Sequence, residues 1–330
     1  MALRTCSFVA VLLPVFAMVV ASSSDITAQG STFKSSVEMV PLTVTVTDGA
    51  GNYVSGLSER DFAVFEDGVL QPLSFFASES VPVDVAFVVD TSSSMSADLP
   101  LVQEAAKGLV RALRDGDRGA VVSVNSLVDM PRRFTSDHAS VAAAIDALRC
   151  SGATALYDGV YIVLKEFARE QRSNTDVRRQ VLVLLSDGVD NVSHVSADEM
   201  AELAKRVGVN IYVIAIQRPT TVPSAIVRDP ASQRAAFTMR TLAQDAGGRI
   251  FFPTMAAELP AIYRSIAQEL ASQYDLGYVP AKSGSDGKFR RVAVRVLPPT
   301  SAAARTRSGY YSTRVTDAPR YGTDRQPRSE

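Results

Sequence analysis

The hydrophobic and polar positions of this chain change period several times. Between residues 81 and 271, short continuous apolar runs alternate with longer stretches whose apolar residues recur every three or four positions. The runs predict strands at 83–90, 118–125, 127–134, 179–186, 209–216 and 249–252. The longer stretches predict helices at 99–114, 137–149, 156–171, 196–207, 234–246 and 256–272. In the first helix Leu101, Ala105, Leu109 and Leu113 share one face, with Gln103, Lys107, Arg111 and Arg114 turned outward. Gly208 and Gly247-Gly248 stand as C-caps after two of the helices. Repeated alternation of strand and helix implies an α/β fold with a doubly wound, mostly parallel sheet. The 118–134 pair is joined too tightly for a crossover, so its second strand runs antiparallel. Arg218 to Ala235 holds three prolines and no period, and reads as a loop at the strands' carboxyl ends, either a partner contact or a surface insertion.

Outside that block the period is two. Val40 to Val46 alternates branched and polar residues, and Asp48-Gly-Ala-Gly-Asn52 is a turn. Phe62 to Glu66 runs into Asp67-Gly68, a favoured hairpin connection, and Leu70 to Phe76 returns. Three more strands are expected at Tyr274–Val279, Phe289–Val296 and Arg305–Tyr311. Residues 29–80 are too few to close a sandwich alone, so they are expected to pair with 272–312 in a small β-sandwich-like domain. The 81–271 domain is then an insertion; two separate appendages are the alternative. Residues 313–330 read as a disordered basic tail.

The first apolar run, Val83 to Val89, ends on Asp90, and hydroxyls follow at Ser92 and Ser94. A run without alternation suits a strand buried on both faces of a parallel sheet. Ligands in such sheets bind beyond the strands' carboxyl ends. One carboxylate and two hydroxyls there make a hard, oxygen-only nest suited to Mg²⁺ or Mn²⁺, with Ca²⁺ also accommodated. Gly152 to Asp158 offers a third hydroxyl, Thr154, though that residue is equally placed to cap the helix beginning near Leu156. Val181 to Leu185 is a second buried run, followed by Ser186 and a carboxylate, Asp187. Asp158 suits the first turn of its helix and is left out of the set.

These three segments, in this order, resemble the von Willebrand factor A domain. Its metal-ion-dependent adhesion site uses Asp-x-Ser-x-Ser, a distant Thr and a distant Asp. The resemblance implies Asp90, Ser92, Ser94, Thr154 and Asp187 as metal ligands, with Ser93 standing where the family more often has Gly. Further pieces resemble exported bacterial A-domain proteins typified by Acidobacteria: Val54-Ser-Gly-Leu57, Glu66-Asp67-Gly68, Ser272-Gln-Tyr-Asp-Leu-Gly-Tyr278 and Arg307-Ser-Gly-Tyr-Tyr311. What the resemblance implies is an integrin-type fold and a metal-dependent protein-binding module. Its cation would accept a carboxylate from an unknown protein partner.

Composition adds limits. The net charge of −1 gives no case for nucleic acid or an anionic membrane, although residues 281–330 carry eleven Lys or Arg against four acids. Arg4 precedes an apolar run of fourteen residues, Phe8 to Ala21. That length suits a signal-peptide core and falls short of the ~20 residues of a membrane span. Residues 1–28 are therefore expected to be a leader, and the protein exported to the periplasm, cell envelope or extracellular space. Only Cys150 remains beyond it, which rules out an internal disulfide and suits a buried inert thiol. His138 and His194 are the only histidines, neither in a catalytic context, so no enzyme is expected; Asp190 is the weak candidate for a base in a metal-assisted hydrolase. A structural envelope protein with a vestigial or purely structural metal site is the other alternative.

Overall fold

Alternation along the chain builds the first strands of the computed structural model, which describes residues 39–78, 81–173, 178–187, 189–216, 230–281, 286–298 and 302–312. The expected leader, the tail and most of the 218–235 loop lie outside the described residues. Strand β1 (Val40–Thr47) is followed by β2 (Phe62–Glu66), β3 (Val69–Gln71) and β4 (Leu73–Ala77). Glu66 pairs with Val69, leaving Asp67 and Gly68 to turn the chain at φ of 47° and 82°. Such a two-residue turn needs positive φ at both positions, which Asp-Gly supplies cheaply. The expected single return strand is two strands in different sheets. Pro72 falls between β3 and β4, and its missing N–H ends the ladder there.

The α/β block follows in chain order: β5 (Val83–Asp90), α1 (Leu99–Ala112), β6 (Arg118–Val124), β7 (Val128–Thr135), α2 (His138–Asp146) and α3 (Leu156–Ser173). Then come β8 (Arg179–Ser186), α4 (Ala197–Val207), β9 (Asn210–Ala215), α5 (Pro230–Asp245), β10 (Ile250–Phe251) and α6 (Leu259–Ala271). The six strands lie in the order β10-β9-β8-β5-β6-β7, all parallel except β7. Every residue of β5 is buried. One face of the sheet packs against α1, α2 and α6 through Val85, Phe87, Val183 and Tyr212. The other packs against α3, α4 and α5 through Ala86, Val88, Leu182 and Leu184. The edge strand β7 carries Pro131, Arg132 and Arg133 exposed, which discourages pairing with another chain.

Two details differ from expectation. Helix α1 buries Leu99, Val102, Ala105, Ala106, Leu109 and Val110, so Leu101 stands outside the core face, and Gln103 donates to the carbonyls of Ile145, Asp146 and Leu148 at the end of α2. Spacing by fours is shared by two adjacent helix faces, and Val102, Ala106 and Val110 decide between them. Helix α5 begins at Pro230 rather than near 234; a fixed φ suits proline to a first helical position.

The chain then returns to the first strands with β11 (Tyr274–Tyr278), β12 (Phe289–Val296), β13 (Ala303–Arg305) and β14 (Gly309–Tyr311). Two antiparallel four-stranded sheets result, β13-β1-β11-β4 and β14-β12-β2-β3. Leu42, Val44, Phe62, Val64, Leu276 and Val294 share one core, so the sheets form a small sandwich built from both ends of the chain. Its buried carboxylate, Glu66, pairs with Arg290 at 3.2 Å and accepts from the hydroxyls of Tyr278 and Tyr310, both at 2.8 Å.

A second buried carboxylate ties the sandwich to the α/β block. Glu269, in the last turns of α6, is fully buried and accepts from Tyr212 of β9 at 2.6 Å and Thr45 of β1 at 3.1 Å. Tyr53 donates to it at 3.2 Å, and Arg305 of β13 bonds to it at close range. Glu269→Ala would leave these donors facing an apolar gap. It should cost about 3–5 kcal/mol in urea unfolding, the range for breaking a buried charge pair. Gly248 is a second weak point, because an added Cβ would sit 2.0 Å from the Ile211 carbonyl oxygen. Gly248→Ala should lower stability by about 1–3 kcal/mol in the same assay, as overpacking against backbone does.

Candidate metal centre

From β5 the chain moves to β6 on one side and later comes back through β8 on the other. A crevice opens where the order reverses, at the carboxyl ends of β5 and β8. Three loops meet there. The first leaves β5 at its last residue, Asp90, and carries Ser92 and Ser94; the second precedes α3 and carries Thr154; the third follows β8 and carries Asp187.

Backbone bonds join the loops. Ser93 N–H donates to the Gly152 carbonyl at 3.0 Å, and Ser151 N–H to the Thr91 carbonyl at 2.8 Å, holding the second loop against the first. Asn191 N–H donates to the Thr154 carbonyl at 2.9 Å, holding the third against the second. Ser186 closes the ring with a 2.6 Å bond from its hydroxyl to Asp90 Oδ2. Asp90 Oδ1 accepts from Ser92 N–H at 2.9 Å, and the Ser92 and Ser94 hydroxyls lie 3.0 Å apart. Asp90, Ser92 and Thr154 are buried, Asp187 is half-buried and Ser94 is exposed, so the nest opens to solvent on the Ser94 side.

Thr154 does not cap α3. The first N–H groups of that helix, Leu156 and Tyr157, donate to Asp190 Oδ1 at 2.7 and 3.3 Å, and the Asp158 N–H donates to Ser193 Oγ at 3.1 Å. Asp158 in turn accepts from the N–H groups of His194 and Val195 at 3.0 and 2.8 Å and faces His194 Nδ1 at 3.0 Å. Helix α3 and the third loop thus exchange caps. Sequence reasoning missed the roles of Ser186, Asp190, Asp158 and Ser193, because capping across 33 or more positions leaves no local pattern. Only the Ser-Asp pair ending β8 gave a signal.

The electrostatics fit a cation. Burial raises the Asp90 carboxyl pKa above its ordinary value, and Asp187 raises it further, while the Ser186 and Ser92 bonds oppose the shift. A desolvated carboxylate next to a second one is relieved by a positive charge. The candidate donors are two carboxylates and three hydroxyls, with no soft atom among them; among the described residues no group of three or more His, Cys, Asp and Glu is placed to hold a metal. Oxygen-only donors suit Mg²⁺, Mn²⁺ or Ca²⁺. Cys150 packs half-buried against the core beside this loop, and burial raises its thiol pKa.

The model of the von Willebrand factor type A domain matches residues 84–264, more than half of the chain. The chain belongs to the von Willebrand factor type A domain family. The chain is 30% identical over 161 residues to the uncharacterized protein YfbK of Escherichia coli, 46% of this chain and 27% of that one. It is 29% identical over 111 residues to an uncharacterized protein of Synechocystis, 33% of this chain and 26% of that one. The chain therefore spans about a quarter of the length of the curated relatives it matches. Among solved structures it is similar to the von Willebrand factor domain of the type V pili tip protein Mfa5 from Porphyromonas gingivalis. That match has 19% identity and a TM-score of 0.45 over 57% of this chain and 95% of the other. It is also similar to a von Willebrand factor type A protein from Catenulispora acidiphila, at 15% identity and a TM-score of 0.47 over 78% and 75% of the two chains. Mussel byssus proximal thread matrix protein 1 with a zinc-occupied MIDAS motif matches at 22% and 0.47, over 63% and 50%. Among the described residues of this A-domain protein no helix is long and apolar enough to cross a membrane.

Asp190→Ala tests the cap exchange. It removes the acceptor shared by Leu156, Tyr157 and Ser193, and should destabilise the fold by about 1–2 kcal/mol, the cost of a lost N-cap. Asp190→Asn, which keeps a carbonyl acceptor, should recover most of that loss in the same denaturation assay.

Proposed function

We propose that the A domain is an exported, metal-dependent protein-binding module. In this reading Asp90, Ser92, Ser94, Thr154 and Asp187 hold a divalent cation, Mg²⁺ or Mn²⁺ ahead of Ca²⁺. The cation supplies a positive charge to which a carboxylate of a partner protein attaches. Asp90 supports it most directly, as a carboxylate with no exposed surface that shares its crevice with Asp187 and hydroxyls and, among the described residues, has no basic side chain bonded to it. Two carboxylates bring the charge of a divalent ion near neutral without exceeding it, so an incoming acid is still attracted. Export is supported by the Arg4-led apolar run at Phe8–Ala21 and places the protein in the periplasm, cell envelope or extracellular space.

A metal-assisted hydrolase is less well supported. It needs an uncommitted base within reach of the site. Asp190 Oδ1 already takes three donors, and Asp158 occupies His194 Nδ1. A structural envelope role has one observation in its favour: the three loops are joined by hydrogen bonds of their own, so a cation there would add to an existing tie.

Titration calorimetry and thermal melts of the mature protein, stripped of metal, test the site. Mg²⁺ or Mn²⁺ should bind with one-site stoichiometry and raise stability by about 2.7 kcal/mol at a hundredfold excess over Kd. Asp90→Asn should abolish both effects while leaving the metal-free melt as high as wild type or higher, since it removes a buried charge. Equal metal binding by wild type and Asp90→Asn would assign the ion elsewhere, and no binding by wild type would remove the metal reading.

A further inference from the structure

Two aliphatic side chains stand exposed around the crevice, Leu127 at 78% and Val192 at 42%. Both sit on backbone bonded directly to the Thr154 loop. The Asn125–Leu127 turn accepts Ala155 N–H at the Asn125 carbonyl, 2.8 Å, and Ala153 N–H at Ser126 Oγ, 2.8 Å. Within that turn Leu127 N–H donates to Asn125 Oδ1 at 2.9 Å, and Asn125 N–H to the Leu127 carbonyl at 3.0 Å. On the other flank Val192 N–H donates to the Thr154 carbonyl at 3.3 Å. Leu127 and Val192 therefore bracket Thr154, each on a segment fixed in place before any partner arrives.

We infer that the partner's carboxylate is carried by a segment with aliphatic residues on both sides of the acid, which Leu127 and Val192 receive. The inference rests on the metal reading above and names the chemistry around that contact. The carboxylates near the rim offer little to a basic flank. Asp190 Oδ1 takes the Leu156, Tyr157 and Ser193 donors, and both oxygens of Asp158 are taken by the His194 and Val195 backbone and the His194 ring. In this reading the cation supplies the charge contact, and the exposed Leu127 and Val192 lie beside it. Side chains held on a hydrogen-bonded turn lose little freedom on binding, so the contact area they cover converts to affinity efficiently. One charge contact orients a segment, and the apolar rim supplies what holds it.

Two acetylated peptides probe this, Leu-Leu-Glu-Leu-Leu and Ser-Ser-Glu-Ser-Ser, with fluorescence anisotropy read in saturating Mn²⁺ and in chelator. The leucine-flanked peptide should bind about tenfold more tightly, the scale of one modest apolar contact, and only in Mn²⁺. Leu127→Ser should reduce it to the serine-flanked level while leaving calorimetric Mn²⁺ binding unchanged. Leu127→Met should retain the preference, and Val192→Ser should lose part of it. Equal affinity for the two peptides, or an undiminished preference in Leu127→Ser, overturns the inference. Mn²⁺ binding with no capture of either peptide also overturns it and leaves the metal reading standing. Failure of Mn²⁺ itself to bind removes both.

Discussion

The structure depends on a strand with no wet face. Val83–Asp90 is buried at all eight positions, so helices must cover both sides of the sheet, and three layers follow. Its neighbours β6 and β8 lie on opposite sides, because the chain reverses its direction of travel across the sheet there. A crevice at the carboxyl end is the geometric result, and the strand's last residue is a carboxylate that enters it without exposed surface. Burying such a group without a cation bonded to it is costly. The hydroxyl of Ser186 and the N–H of Ser92 offset part of that cost, and Asp187 adds to it. The electrostatic cost at the site is therefore set by where this strand ends.

The second organising group is Glu269. The sandwich draws β1 to β4 from one end of the chain and β11 to β14 from the other, so its assembly closes a loop of nearly two hundred residues. The α/β block inside that loop holds the two ends at a fixed separation, and Glu269 is where it does so. Its carboxylate receives a hydroxyl from β9, another from β1 and the guanidinium of Arg305 in β13. Gln273 adds bonds to Thr45 and Tyr212 in the same buried network. A buried charge with this many partners contributes more to specifying one arrangement of the two parts than to net stability.

Local physics explains what the sequence reveals and what it hides. Continuous apolar runs at 83–90 and 179–186 announce buried strands because nothing polar interrupts them, and Asp67-Gly68 announces its hairpin because few pairs tolerate two positive φ values. The family resemblance rests on short segments in a fixed order, each readable without knowledge of the fold. The strand breaks at Pro72 and at Thr306–Ser308 are harder to foresee. A sheet switch is decided by which ladder receives the next residue, a tertiary choice. The outward place of Leu101 was hidden because its spacing fits either of two faces. The cap exchange between α3 and the third loop was hidden for a different reason: Asp190 and Asp158 look like ordinary loop and helix carboxylates until the fold brings them together.

That exchange bears on what the site can do. Asp190 and Asp158, beside the proposed ligand set, accept backbone N–H groups, which fixes the loops. The Thr154 hydroxyl is spared capping duty because Asp190 performs it from the third loop. Loops held by one another's bonds are ordered before anything binds, and such pre-organisation lowers the entropic cost of binding. A frame whose loops are bonded to one another keeps one geometry.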